Sequence, residues 1–371
     1  MHRFREPLKW LILVLAGGSI LLFSMALIFG GKIKELVVTE INRNLVVEVA
    51  VDDISFSFFS NFPFGSVTFH KVKVPEAEPF KTSGQMLSAE KITLLFNPLN
   101  IIKGKYELNK IKVTSANFNI QVDADGNTNY TVWKAKADSL SSEFSLKLNE
   151  VILDDVDVLY YNTSNNQDHS FVIKKGSLSG EFYRLEFSLR TRSDLYVQRL
   201  VVNSTSYITD KDCEVNLMID VNSGADSYKF GKSKLHIEGL TADVSGTVTG
   251  KGDEGADIDL IISSESADIP SLVSVLPDQI TNWSKNYAYQ GSVNFNCRIS
   301  GVASRTQIPV FGINFETFNL NINPKGTAYK VSELNASGFF TNRKSSTTPV
   351  EYLELNNFSA VLECKPVSGS C

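Results

Sequence analysis

Residues able to do chemistry are few in this 371-residue sequence, and they are not clustered. The four histidines, His2, His70, His169 and His236, lie far apart, and no histidine or cysteine stands at the short spacing typical of a metal site. No serine occupies a G-x-S-x-G nucleophile elbow. We therefore expect no metal, no cofactor and no catalytic set, and a protein that is not an enzyme.

Two acidic stretches have ordinary structural interpretations. The run Asp123–Asn129 resembles a calcium loop weakly, but Gly126 comes two positions too early and Lys134 stands where the closing glutamate belongs. The acidic run Asp154–Asp157 lies on both sides of an alternating strand pattern and has no recognisable partner for acid–base chemistry. These stretches predict a polar turn and a solvated strand.

One glycine pattern imitates a nucleotide site. Gly250, Gly252 and Gly255 match G-x-G-x-x-G, but the strand-like segment ADIDLII follows them instead of a helix. Asp253 and Glu254 would also repel a pyrophosphate. We interpret the pattern as a hairpin turn.

Charge and cysteine usage limit the remaining classes. Acidic residues outnumber basic ones by 41 to 36, which argues against nucleic acid as a partner, because such binding depends on neutralising phosphates. Cys213, Cys297, Cys364 and Cys371 could form two disulfides outside the cytoplasm, with a connectivity the sequence does not give. Cys213 and Cys297 also fit buried free thiols in strands, so both interpretations stay open.

The elements that would position a functional site begin with a membrane segment. Residues 10–29 carry no charge and, as a helix, would extend about 30 Å, the thickness of a bilayer's hydrocarbon core. A cleavable signal peptide is the alternative, but its apolar region is usually shorter. Three basic residues precede the segment, and Lys32 and Lys34 follow it, which weakly favours a cytoplasmic N-terminus. We expect a single-pass anchor with the remaining chain outside the cytoplasm.

A short amphipathic helix is predicted directly after this segment. Within residues 31–45, Ile33, Leu36, Val37 and Ile41 follow one helical face. This face either packs against the first strands or lies on the membrane surface.

Beyond residue 45 the pattern becomes that of strands. Apolar and polar residues alternate, skipped steps suggest bulges, and turn residues separate the runs. One short helix is predicted at residues 269–276, with Pro270 near its first turn. The predicted fold is mainly β: the two N-terminal helices followed by an elongated, curved antiparallel sheet. Its regions are 1–31 (cytoplasmic tip and anchor), 32–160 (first β region with the amphipathic helix) and 161–371 (the continuing sheet).

The continuous alternation implies one long apolar face that something must cover. A second sheet would cover it in a sandwich or closed barrel, whereas an open sheet would leave a trough for a ligand. Periodicity alone does not separate these cases, nor does it fix which face is apolar. The candidate lining residues are Phe118, Ile120, Val122, Leu146, Leu148, Val156 and Val158.

The order of these elements resembles the AsmA family of bacterial envelope proteins. The matching features are Pro98-Leu99 ahead of IIKGK, the strand pair YELNKIKVTSANFNI, and Asp125-Gly126-Asn127 ahead of a Trp strand, with later matches at Ser177–Gly180 and in SADIPSLVSVLP. The resemblance extends over residues 8–340 and depends on order and spacing, since no single motif is specific.

The resemblance implies an inner-membrane anchor that carries a periplasmic β-groove for phospholipid acyl chains and supports outer-membrane assembly. The expected partners are phospholipid and the inner membrane, with outer-membrane or periplasmic proteins as further candidates. Family members are commonly much longer, which implies either a truncated product or a short member that works near the inner membrane. The alternative function is a non-enzymatic assembly factor or scaffold for outer-membrane proteins.

Overall fold

The computed structural model describes residues 39–369 except 40–41, 44, 62–63, 81–83, 98–99, 101–105, 133, 135–143, 146–147, 183, 253–254, 277–281, 283, 305, 327–329, 344–350 and 363–364. The predicted membrane segment at 10–29 lies outside these residues. So do Ile33, Leu36, Val37 and Ile41 of the predicted amphipathic helix. Within the described part of the chain, no helix has the length and apolarity needed to cross a membrane.

The protein is mainly β, and sixteen of its strands form one curved sheet. The seventeenth, the two-residue β5, pairs separately with the start of β4. In chain order the strands are β1 (Asp53–Asn61), β2 (Phe64–Pro75), β3 (Gln85–Phe96), β4 (Tyr106–Val122), β5 (Phe144–Ser145), β6 (Glu150–Asn162), β7 (Gln167–Ser179), β8 (Glu186–Val202), β9 (Thr205–Asn222), β10 (Ser227–Ile237), β11 (Leu240–Gly250), β12 (Ala256–Asp268), β13 (Tyr287–Ala303), β14 (Val310–Pro324), β15 (Val331–Thr341), β16 (Tyr352–Leu362) and β17 (Lys365–Gly369).

Sheet order follows chain order, and almost every neighbouring pair is antiparallel. The exception corrects the expectation of a purely antiparallel sheet: β4 pairs in parallel with β6, from Lys110 opposite Glu150 to Val122 opposite Asn162. After β4 the chain returns to the level of the start of β4 before β6 begins. The two strands therefore run in the same direction. The expected region boundary between residues 160 and 161 falls inside β6, and the sheet continues through it.

A row of unpaired residues interrupts successive strand pairs at the same place. Between β2 and β6 the pairing leaves out Lys71, Glu90, Ser115 and Asp155, which lie beside one another across the sheet. Lys71, Ser115 and Asp155 have φ values of 49°, 47° and 58°. Each strand contributes one such residue, so the register is the same on both sides of the row while the alternation of apolar and polar faces reverses phase. The skipped steps of the sequence pattern are thereby explained.

Two short segments pack on the apolar face of the sheet at its margin. The first contains Leu45, Val47 and Val49, which join Val132 over the apolar residues of β1 and β2. The second is helix α1 (Ile269–Val275), which packs on β11–β14. Asp268 caps α1 by accepting a hydrogen bond from the Ser271 amide at 3.0 Å. The predicted helix at 269–276 is therefore confirmed.

Candidate functional site

The most extensive feature of the molecule is an apolar face that crosses the whole sheet. Inter-strand pairing places one apolar side chain after another on this face, so the face is continuous across hairpins and across the parallel junction. One representative per strand is Ile54, Phe69, Ile92, Val113, Leu153, Ile173, Leu195, Val215, Leu235, Ala242, Ile262, Cys297, Ile313, Phe340 and Leu353.

The opposite face carries the charge. Cross-strand ion pairs there join Lys112 to Asp154 at 3.0 Å and Arg298 to Asp259 at 2.9 Å. Such exposed pairs contribute at most about 1 kcal/mol each, but they mark the face that water solvates. The acidic run Asp154–Asp157 thus belongs to the polar face at Asp154, in agreement with its interpretation as a solvated strand.

Five of the seven candidate lining residues lie together on the apolar face. Phe118, Ile120 and Val122 come from β4, and Val156 and Val158 from the adjacent β6, where Phe118 is directly opposite Val158. Leu148 precedes β6 and is half-buried, and its carbonyl accepts a hydrogen bond from the Phe182 amide at 3.2 Å. Leu146 lies outside the described residues.

The curvature makes this face concave. Val156 is fully buried, with 0% of its surface exposed, yet it clusters with Ala89, Val113 and Ala116, which belong to the same face of the same sheet. The sheet is curved, and burial this complete on one face is expected where the strands bend toward that face. We call this concave apolar face the groove.

The described strands leave the groove open. β1 and β17 form the two edges of the sheet, and no pairing between described residues joins them into a closed barrel. Toward the last strands the apolar side chains become exposed, with Leu353 at 55% and Leu362 at 49%. Of the alternatives that the sequence left open, the described strands form the open sheet.

The described side chains at paired groove positions include no acid and, histidine aside, no base, with one exception. His169 stacks on Tyr160 at 5.5 Å between ring centroids, and burial lowers the pKa of its imidazole. Cys213 and Cys297 are free thiols on separate strands. Burial raises the pKa of the Cys213 thiol to about 11 and also raises the pKa of Cys297. The exception is Lys211, on β9, whose partner across the sheet is the buried Val197.

Sequence reasoning missed Lys211 because the alternation of groove-facing and outward-facing residues in β9 changes phase beside it. Counting back in steps of two from Leu217 through Val215 and Cys213 reaches Lys211, which identifies it as a groove residue. Asp210, with φ of 53°, is left unpaired opposite the unpaired Gln198, and the phase of the alternation reverses there. A lysine in phase with an apolar row was the signal available in the sequence.

The motifs set aside in the sequence have structural roles. The glycine pattern at 250–255 connects β11 to β12, as a hairpin turn should. Asp123 accepts hydrogen bonds from the amides of Asp125 and Asn127, which closes a polar turn. No cluster of histidine, cysteine, aspartate or glutamate suited to a metal occurs among the described residues.

Comparisons of the whole chain with protein-family models, with curated proteins and with solved structures gave no match.

Proposed function

We propose that the protein is a non-enzymatic envelope protein that binds or conducts phospholipid acyl chains in its groove. The observation that supports this most is a concave apolar face that continues from β1 to β16 in an open sheet. Exposed apolar surface of this extent is typical of a ligand or partner site. The proposal includes what the AsmA resemblance implies: anchoring by residues 10–29, a periplasmic location and a role in outer-membrane assembly.

The dimensions and energetics of the groove suit acyl chains. Sixteen strands at about 4.8 Å spacing give a groove of roughly 70 Å, against about 15 Å for the hydrocarbon of one leaflet. Several acyl chains could therefore lie in it at once. Each buried CH₂ group contributes about 0.8 kcal/mol without requiring a specific hydrogen bond, as expected for a conduit that accepts many lipids.

The test is to purify the full chain in mild detergent, extract it and quantify bound lipid by mass spectrometry. Ile120→Asp and Leu217→Asp are combined in one variant, because both residues are half-buried groove positions outside the clusters of buried core residues. The parent should retain several phospholipids per chain, and the variant should lose most of them.

The matched control combines Leu159→Asp with Met218→Asp. Met218 follows Leu217 in sequence, and Leu159 pairs with Asn119, the residue before Ile120. Both face the polar side, where Leu159 is 43% and Met218 is 39% exposed. The control should keep the parent's lipid. Absence of lipid above background in the parent, or equal loss in both variants, would contradict the acyl-chain proposal.

The free sheet edges favour a second candidate, an assembly scaffold that adds strands of a client protein to β1 or β17. Successive N–H groups of an edge strand point alternately toward the sheet and away from it. Only one of Ser55→Pro and Phe56→Pro therefore removes an N–H group that points away from the sheet, toward a client strand. In a scaffold, that variant should lose client binding. Because Phe56 also packs against the buried cluster over β1 and β2, Phe56→Ala is the control for lost packing and should keep client binding. Unchanged client binding in both proline variants would exclude this use of β1.

A further inference from the structure

Lys211 is the only charged residue at a paired groove position among the described residues of β1 to β16. Its neighbours in the same row are Cys213 and Val215, and Val197 lies across from it on β8. Lys211 is half-buried, and its side chain makes no hydrogen bond or ion pair with the described residues. Lys211 therefore offers the groove a cation with no described partner, and an anionic ligand would supply one.

The adjacent acidic residues do not neutralise Lys211, because they are engaged on the other face. The Asp210 carboxylate accepts a hydrogen bond from the Tyr196 hydroxyl at 3.1 Å. Asp212 pairs with Lys174 at 2.5 Å. Lys211 therefore presents its charge to the groove side of β9 alone.

Lys211 lines a cavity of about 260 Å³ at the margin of the groove. The cavity lies where β9 extends past the end of β10, whose last residue, Ile237, pairs with Cys213. The last turn of α1 forms its other wall, and Lys285 adds a second ammonium group. No acidic residue occurs among the described residues that line it.

The cavity lining contains both polar and apolar groups. Besides the two lysines, Ser206 and Thr209 contribute hydroxyl groups that lie 2.6 Å apart. Ile208 and Val273 supply apolar wall, and Val275 reaches from the cavity to the buried cluster around Val197 in the groove. A ligand that fills this lining needs an anionic end and a hydrocarbon end.

We infer that this cavity is a head-group site for an anionic phospholipid, with its phosphate at Lys211 and Lys285 and its acyl chains in the groove. The inference rests on the proposed function and adds head-group selectivity to it. A soluble phosphate would satisfy the lysines but leave the apolar wall uncovered, so the ligand is the amphiphile.

The test uses the full chain, delipidated in mild detergent, with phosphatidylglycerol and phosphatidylcholine of identical acyl chains. Affinities are measured for the parent, Lys211→Met and Lys229→Met. Lys229 is the matched control because it is an exposed lysine on the polar face of β10. Methionine fits a groove position and preserves length, so Lys211→Met should fold.

The parent should bind phosphatidylglycerol about tenfold more tightly than phosphatidylcholine, the effect of one charge-assisted contact. Lys211→Met should abolish this preference by lowering phosphatidylglycerol affinity more than that of phosphatidylcholine, whose choline offsets the phosphate charge, whereas Lys229→Met should keep the preference. Rescue by Lys211→Arg would further support a charge at this position.

Three results would overturn the inference in distinguishable ways. Equal binding of both lipids by the parent, or a preference retained in Lys211→Met, would remove the head-group site but leave acyl-chain binding intact. Glycerol phosphate binding as tightly as phosphatidylglycerol would identify a site for a soluble phosphate. Failure of the parent to bind either lipid would reject the proposed function together with the inference.

Discussion

At the scale of single residues, Glu76 connects three parts of the chain. It is 4% exposed, and its Oε1 accepts hydrogen bonds from Asn119 at 3.2 Å, Gln121 at 3.0 Å and Asn129 at 3.2 Å. Asn129 is itself fully buried and also binds the Asn119 carbonyl at 2.7 Å. This network fixes the chain leaving β2 to the end of β4, beside the first segment that covers the groove.

Replacing Glu76 with alanine should lower the free energy of unfolding by roughly 2–4 kcal/mol, because one buried and two half-buried amide groups lose their acceptor. Urea unfolding measures the change. The control is Glu48→Ala, at an exposed position, which should stay within about 0.5 kcal/mol of the parent. Equal stability of the two variants would show that solvent satisfies the amides.

The Cys213 thiol should be almost unreactive at neutral pH. Burial disfavours the thiolate and raises its pKa to about 11, so at pH 8 only about one thiol in a thousand is ionised. Alkylation by iodoacetamide, followed by peptide mass spectrometry, should be slow at pH 8 and accelerate as the pH rises toward 11. Protein unfolded in urea is the control and should react rapidly at pH 8.

At the scale of elements, α1 depends on its N-cap. The helix has only seven residues, and Asp268 accepts hydrogen bonds from both the amide and the hydroxyl of Ser271, at 3.0 and 3.1 Å. A helix this short is not stable in isolation, so its cap and its packing on Val293 and Leu320 hold it together.

Asp268→Ala should therefore reduce stability by about 1 kcal/mol, measured by thermal or urea unfolding. Asp268→Asn should recover most of the loss, because asparagine also caps helices well. An alanine variant as stable as the parent would mean that packing alone holds α1.

The bulges of the later strands depend on asparagine side chains. The Ser266 amide donates to Asn294 Oδ1 at 2.7 Å, and the Asn319 amide donates to Asn335 Oδ1 at 3.0 Å. Each bulge leaves a backbone donor without a ladder partner, and the asparagine supplies the missing acceptor.

Asn335→Ala should cost roughly 1 kcal/mol of unfolding free energy in urea. Asn357→Ala provides the comparison, since Asn357 occupies an exposed position on the neighbouring β16. A loss no larger in Asn335→Ala than in Asn357→Ala would contradict a role for this amide in the bulge.

The sequence predicted the elements better than the contacts between them. Alternation identified β4, β6 and the strands from β10 to β15, and Pro270 helped to locate α1, because these signals are local. The parallel pairing of β4 with β6 was missed because it depends on the path of the intervening chain. Glu76 was missed because its partners are more than 40 residues away in sequence. Lys211 was missed because the alternation of β9 reverses phase at the unpaired Asp210.

At the scale of the whole molecule, the proposed lipid in the open groove should contribute to stability. A ligand that binds only the folded state at about 100 times its dissociation constant adds roughly 2.7 kcal/mol. Delipidated protein should therefore melt about 5 °C lower than protein resupplied with phospholipid, and it should bind a hydrophobic dye. Differential scanning calorimetry measures the shift. An identical melting temperature with and without lipid would argue against acyl chains in the groove.

Agreement between sheet order and chain order also has a consequence for how the protein folds. Nearly every strand pairs with the strand just before it, so contacts are local for an all-β protein and loop-closure entropy is small. A chain emerging N-terminus first can add one strand at a time to an existing edge. The junction from β4 to β6 is the exception, because β6 cannot pair until the crossover has emerged. Assembly should therefore pause once, after β4, and then continue strand by strand.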